Sequence, residues 1–295
     1  MSELPSTEAV DPATASIDRL EGTQLARTLL ETHRAAVDAA VAAADAVAAA
    51  TDAVVTALRG DGRVVLVGAG TSGRLAVLDA AELPPTFGAD PARVQARIAG
   101  GEAALRRAVE GAEDDAAAGA HAVADVGAHD VVIGISASGG APFVRAALQA
   151  ARARGARTIA IVNAPATPLA AAADVAIVAV SGAEPIAGST RLRAGTAQKI
   201  VLNAISTGAM IRLGKTYRNR MVDLVATNAK LRARAERLVR ELAGAQVDAP
   251  ALLAAAGGSV KVAIVMARRG VDRAAAERLL AQSDGRLAAV IEGRA

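Results

Sequence analysis

The stretch VVLVGAGTSGRL, Val64 to Leu75, decides the fold. An apolar, β-branched run ends in a turn built on Gly68, Gly70 and Gly73, and a helical pattern follows from Arg74 to Glu82. The G-x-G-x-x-G spacing is that of a phosphate-binding turn between strand and helix, where free backbone N–H groups and the helix dipole favour an anion. A dinucleotide site also needs an acidic residue ending the second strand, to hold a ribose. Here VQARI, Val94 to Ile98, runs into Ala99-Gly100-Gly101, with Glu102 only afterwards. Thr71 and Ser72 put two hydroxyls in the turn, which suits a phosphate monoester better. A tight turn with no ligand is the plain alternative for the motif alone.

Outward from this stretch, four more apolar runs close on Gly or Ser: Val94 to Ile98, VVIGIS (Val131 to Ser136), TIAIV (Thr158 to Val162) and VAIVAV (Val175 to Val180). Helical patterns separate them at Arg74 to Glu82, Glu102 to Gly111 and Ala141 to Arg154. Short, continuously apolar strands alternating with helices predict an α/β fold, a parallel-sheet three-layer domain. Right-handed crossovers then gather the loops after the strands on one edge. Before the sheet, Thr23 to Leu58 reads as one long Ala-rich helix. After it come a helix over Ala194 to Leu213, a second over Met221 to Ala243, and a small helical bundle punctuated by Gly258, Gly270 and Gly285. The expected parts are an N-terminal helical arm (1–59), the α/β domain (60–225) and a C-terminal helical region (226–295).

Two further loops fall on the same edge. VVIGISASGGAPF places Ser136 and Ser138 after a strand and before a helix. GSTRLRAGTAQK brings Ser189, Thr190, Arg191, Arg193 and Lys199 to the start of the helix after the last strand. Three hydroxyl-bearing loops at three strand ends predict a sugar-phosphate binder.

Composition narrows the chemistry further. The chain has 295 residues, 53% hydrophobic, 1% aromatic and 21% charged, with no Cys and no Trp. That apolar fraction buries a core, and the missing Cys excludes disulfide scaffolds and thiolate metal sites and fits a reducing cytoplasm. Phe87, Phe143 and Tyr217 are too few for base stacking. The net charge of +3 is spread among acids, and the cluster Arg232 to Arg240 is broken by Glu236, so it reads as a solvated helix face rather than a nucleic-acid patch. No targeting signal or bilayer-length apolar run is expected, hence no membrane partner. His33, His121 and His129 have no ligand spacing, so no metal is expected. Ser72 and Ser138 have no His partner for acyl transfer.

GAGTSGRL, the Ser loop and GSTRLRAGTAQK resemble a sugar isomerase (SIS) domain. More specifically, GAGTSGRLAVLDAAELPPTFG, IAGGEAALRRAVEGAEDD, GSTRLRAGTAQKIVLNAISTGAMIRLGK and MVDLVATNAKL resemble the N-acetylmuramic acid 6-phosphate etherase family, over about Thr7 to the C-terminus. The resemblance implies cleavage of a lactyl ether to N-acetylglucosamine 6-phosphate and D-lactate, no metal or redox cofactor, and a homodimer. Ether loss by elimination needs an acid for the departing oxygen and a base for the proton beside the opened sugar's aldehyde. Two carboxyl groups in different environments can supply them. Glu82, which closes a helix that Pro84 and Pro85 should stop, and Glu113 match the family's acid and base. Gly70, Thr71, Ser72, Ser136, Ser138, Ser189, Thr190 and Lys199 are the expected substrate contacts.

The pattern departs from the family where Val10-Asp11 stands for Arg-Asn, Thr32-His33 for an acidic pair, and Gly140-Ala141 for Arg-Thr. The last change removes a cation and a hydroxyl beside the ligand, for which Arg191 and Lys199 would compensate. Two other readings share the architecture: a non-catalytic sensor similar to glucokinase regulatory protein, which has no need of Glu82 and Glu113, and a sugar-phosphate isomerase using one carboxylate base.

Overall fold

A computed structural model describes residues 6–226 and 228–293. Three helices come first, α1 (Gly22–Thr32), α2 (Arg34–Ala42) and α3 (Ala44–Arg59). The sheet region follows: β1 (Val64–Gly68), α4 (Gly70–Phe87), β2 (Val94–Ile98), α5 (Ala103–Arg106), α6 (Ala116–His121), β3 (Val131–Ile135), α7 (Pro142–Ala153), β4 (Arg157–Val162), α8 (Pro168–Ala172), β5 (Val175–Val178) and α9 (Arg193–Arg212). The remainder is a hairpin, β6 (Thr216–Tyr217) and β7 (Arg220–Met221), then α10 (Ala229–Ala243), α11 (Ala249–Ala255), α12 (Val260–Arg269), α13 (Arg273–Gln282) and α14 (Leu287–Glu292).

All five expected strands are present, within two residues of their expected ends, and all pair in parallel in the order β2-β1-β3-β4-β5. Every residue of β1 and β3 is buried, which is why both read as unbroken apolar runs. Val65, Val67, Val132, Ala160 and Val162 pack with α7 and α8 on one face. The alternate residues lie on the other face, where α3 packs. The chain leaves β1 toward β2, then crosses to β3 on the opposite side of β1. That reversal of winding opens a crevice between the loops after β1 and β3.

Contact density divides the chain into two compact units, one comprising the chain to Ala80 with Ala92–Ser206, the other Ala81–Pro91 with the chain from Thr207 onward. The second unit has its own core of Tyr217, Val222, Leu238, Val239, Ile264 and Leu287. Inside it, Lys261 is buried but fully partnered, donating to the carbonyls of Gly214 (3.1 Å) and Gly285 (2.9 Å) and pairing with Asp223 (2.8 Å). Burial lowers its pKa, and the Asp223 carboxylate opposes that shift.

Four expected helices differ, each for a local reason. The single helix over Thr23 to Leu58 is three helices. At the first break the Thr32 carbonyl accepts from Arg193 Nε (2.9 Å) and the His33 ring meets the Thr196 hydroxyl (2.9 Å). Ala36 N–H then bonds to the His33 carbonyl, one residue short of the helical ladder. The Glu102 to Gly111 helix shrinks to α5, because the Arg74 guanidinium takes the carbonyls of Leu105 and Arg107 (3.3 Å each). Conversely, α4 runs through Pro84 and Pro85 to Phe87. The prolines remove two donors but not their own acceptors, and Gly88 N–H closes the last turn on the Pro84 carbonyl (2.9 Å). Finally, the helix expected from Met221 starts at Ala229, capped by the Asn228 side chain (2.9 Å to Leu231 N–H), while Met221 itself belongs to β7 of the hairpin.

Candidate functional site

Two helix N-termini meet at the crevice. Gly70, left-handed at φ +52°, opens α4. The first-turn N–H groups of a helix have no acceptor within it and draw negative charge. Gly73 lets this turn sit close under the sheet, since a Cβ there would stand 2.5 Å from Ile98 Cγ1 and 2.7 Å from the Gly68 carbonyl. After β3, the Ser136 hydroxyl accepts from Gly139 N–H (3.1 Å) and Ser138 Oγ from Gly140 N–H (3.3 Å), which shapes the loop leading into α7. The N-terminus of α9 is not open. The buried Glu184 carboxylate accepts from Arg193 N–H (2.7 Å) and Ala194 N–H (2.9 Å) and occupies it.

A cavity of about 420 Å³ lies between these loops. It brings together Gly70, Thr71, Ser72, Ser136, Ser138, Thr190 and Glu113, seven of the ten residues expected at the site. Glu113 reaches it from a 3-10 turn, Ala112–Asp114, that follows the left-handed Gly111. The other three do not line it. Ser189 is half-buried, with its N–H on the Ile186 carbonyl (2.9 Å). Lys199 is exposed on α9 and acts electrostatically on Asp79. Glu82 is exposed on α4, in the stretch that belongs to the second compact unit. Gly140 and Ala141, two of the residues that depart from the family pattern, do line the cavity.

Behind the wall runs a buried polar relay that no sequence motif announced. The Ala179 carbonyl can only accept, so Asn163 must turn its amide N–H toward it (2.9 Å). Asn163 Oδ1 then faces Gln198, which must present its own N–H (2.9 Å). Gln198 Oε1 is left to face Ser72, whose hydroxyl therefore donates (2.8 Å). The Ser72 proton is committed inward and its lone pairs stay available. Asp79, one turn before Glu82 on the same helix, is also buried. It accepts from Asn203 (2.8 Å) and the Ser206 hydroxyl (3.1 Å), and burial raises its pKa while those bonds oppose the rise.

A second residue that the sequence did not single out, Glu8, also lines the cavity, with Asp114. The segment carrying it is held by Asp11, whose carboxylate pairs with Arg193 at 2.7 Å, both side chains nearly buried. Arg193 bonds in addition to the carbonyls of Thr32 and Ala183.

Residues 46–152 match the family described as glucokinase regulatory protein N-terminal SIS domain, and residues 108–207 match the SIS domain. A solved phosphoheptose isomerase from Francisella tularensis shares the fold at 19% identity, with a TM-score of 0.51, over 65% of this chain and 100% of that one. Fold and switch-point cavity together define an SIS-domain protein of the three-layer α/β class. Two curated relatives named N-acetylmuramic acid 6-phosphate etherase are far more similar. The one from Deinococcus radiodurans is 49% identical over 95% of this chain and 93% of its own length. The one from Gloeobacter violaceus is 50% identical over 97% and 94%. The chain belongs to the N-acetylmuramic acid 6-phosphate etherase family.

Proposed function

We propose that the protein cleaves the D-lactyl ether of N-acetylmuramic acid 6-phosphate, giving N-acetylglucosamine 6-phosphate and D-lactate, as a carbon–oxygen lyase of amino-sugar and cell-wall recycling. The observation that carries this reading is the meeting of two open helix N-termini, five hydroxyls and Glu113 in one cavity of sugar-phosphate size. The phosphate lies at the N–H groups of α4 and α7. Glu113, as base, takes the proton from C2 of the opened sugar. The electron pair forms the C2=C3 double bond as the C3–oxygen bond breaks, and Glu82, as acid, protonates the departing lactate oxygen. Water then adds its hydroxyl to C3 and returns a proton to C2. Ser189 and Lys199 remain proposed contacts on the family resemblance.

A homodimer belongs to the same proposal. Leu30, Val37 and Val41 turn large apolar side chains to solvent on α1 and α2, at 74%, 48% and 68% exposure, and a second copy would cover them. So does a cytoplasmic location, which the absence of Cys suits. Among the described residues no single helix is long and apolar enough to cross a membrane.

The test is release of D-lactate from N-acetylmuramic acid 6-phosphate, run in deuterated water so that C2 exchange reports the elimination. Wild type should release lactate and leave deuterium at C2 of the N-acetylglucosamine 6-phosphate. Binding of the sugar phosphate without release would favour the sensor reading. Release unchanged in both Glu82→Gln and Glu113→Gln would overturn the residue assignment.

A further inference from the structure

We infer that Glu8 is a substrate-contacting, specificity-determining residue, a carboxylate that accepts hydrogen bonds from the hydroxyl or amide N–H groups of the sugar. This rests on the etherase reading and adds to it a residue from outside the three strand-end loops. The described residues lining the cavity include three carboxylates, Glu8, Glu113 and Asp114, and no lysine, arginine or histidine. Carboxylates in the wall repel a phosphate that approaches them. The anion therefore belongs against the N–H groups of α4 and α7, and the carboxylates need donors from the ligand. An amino sugar offers hydroxyls and an amide N–H there, whereas inorganic phosphate offers none that would justify three carboxylates.

Glu8 is placed rather than merely nearby. Its neighbour Thr7 is fully buried, and the Thr7 carbonyl accepts from Gly188 N–H at 3.1 Å. Gly188 is left-handed at φ +76°, a conformation that favours glycine, and a Cβ there would stand 2.9 Å from Glu8 Oε2, so the carboxylate lies directly against this turn. Three residues on, the Asp11 carboxylate caps the turn Pro12–Thr14 through Ala13 N–H (2.9 Å) and pairs with Arg193 (2.7 Å). The segment is thus pinned on both sides of Glu8, at Gly188 and at Arg193. Among the described residues nothing donates a hydrogen bond to the Glu8 carboxylate, although Arg193 and other donors lie on adjoining elements. An exposed carboxylate carried to the cavity wall by a pinned backbone, with its acceptors unused, is available to a ligand.

The experiment is calorimetric titration of the full-length protein with N-acetylglucosamine 6-phosphate and, separately, with inorganic phosphate. Loss of one charge-assisted hydrogen bond corresponds to about 10- to 100-fold in affinity. Glu8→Ala should weaken sugar-phosphate binding by about that factor while phosphate binding holds or tightens, because a like charge is gone. Glu8→Gln, which keeps one acceptor oxygen and the same shape, should fall between. In turnover, Glu8→Gln should raise KM more than it lowers kcat. Equal sugar-phosphate affinity in wild type and Glu8→Ala, or parallel loss of both ligands in either variant, would overturn the inference. Failure of wild type itself to bind the sugar phosphate would instead overturn the etherase reading, and the role of Glu8 with it.

Discussion

The two edges of the parallel sheet are built from the same strands and finished in opposite ways. At the amino-terminal edge, charged side chains bind main-chain and side-chain polar groups of the strand ends. Arg63, just before β1, pairs with Asp125 and Asp130 at 2.8 Å each, and Asp130 also accepts from the N–H groups of Arg63 (2.7 Å) and Gly127 (2.9 Å). Arg93 takes the carbonyls of Gly60 (2.7 Å) and Gly62 (2.6 Å), and Asp174 accepts from both the N–H and the hydroxyl of Thr158 (2.8 and 2.9 Å). At the carboxyl-terminal edge the loops carry glycine, serine and threonine instead, and the N-termini of α4 and α7 stay open. One edge spends its polarity on joining strands; the other keeps it for a ligand. Substitutions at the first should change stability with little effect on chemistry, and substitutions at the second the reverse.

The largest expected effect is at the open edge. Glu113→Gln should cut lactate release by about 10²- to 10⁴-fold, the usual contribution of a general base, with an unchanged melting temperature. A fall in melting temperature would place Glu113 with the structural charges instead. At the closed edge, Asp130→Ala leaves Arg63 with Asp125 as its one carboxylate partner and takes the acceptor from two N–H groups near the core. It should lower unfolding free energy by about 1–3 kcal/mol, read by urea titration, while turnover per folded molecule stays near wild type.

A smaller effect tests the boundary between the two. Gln198→Ala leaves Asn163 Oδ1 without its donor and Ser72 without its acceptor. It should cost about 1–3 kcal/mol of stability and also weaken sugar-phosphate binding, because Ser72 loses its fixed orientation. Calorimetry and urea titration on one sample separate the two losses. Stability without any change in binding would show that the relay serves only the core.

Acidity gives the mildest test, with opposite signs in two places. Asp130 keeps a pKa below its ordinary 3.8: burial pushes it up, but Arg63 and the Gly127 and Arg63 N–H groups outweigh burial. Asp174 is likewise low, its burial outweighed by Thr158 and nearby arginines. The unfolded chain then binds more protons, so this stabilisation is whole above 3.8 and drains away as pH falls through the lower folded values. For Asp79, raised by burial, the folded state holds the proton more tightly, and stability falls as pH climbs from 3.8 through the raised value. Asp130→Asn should flatten the acid limb of a stability–pH curve, and Asp79→Asn the limb above it.

The strands were legible because a strand buried on both faces needs no alternation, and β1 and β3 are buried throughout. The binding loops were legible because glycine and hydroxyl residues directly after such strands have few structural uses. Helix limits were not. The break after Thr32 depends on Arg193, 161 residues away, and the short α5 depends on the Arg74 side chain. No local periodicity records either partner. Glu8 was hidden for the same reason: its placement needs Gly188, and the Asp11–Arg193 pair spans 182 positions.

The relay from Ala179 through Asn163 and Gln198 to Ser72 has a direction, because a main-chain carbonyl at its far end cannot be mutated into a donor. Gln198→Glu would set two oxygens face to face against Asn163, and Asn163→Asp would do the same against Ala179. Neither error is mended by a neighbouring substitution that keeps the same order of donors and acceptors. For anyone redesigning the specificity of this cavity, the three side chains are one inherited unit, to be kept whole or replaced together by a dry, apolar set.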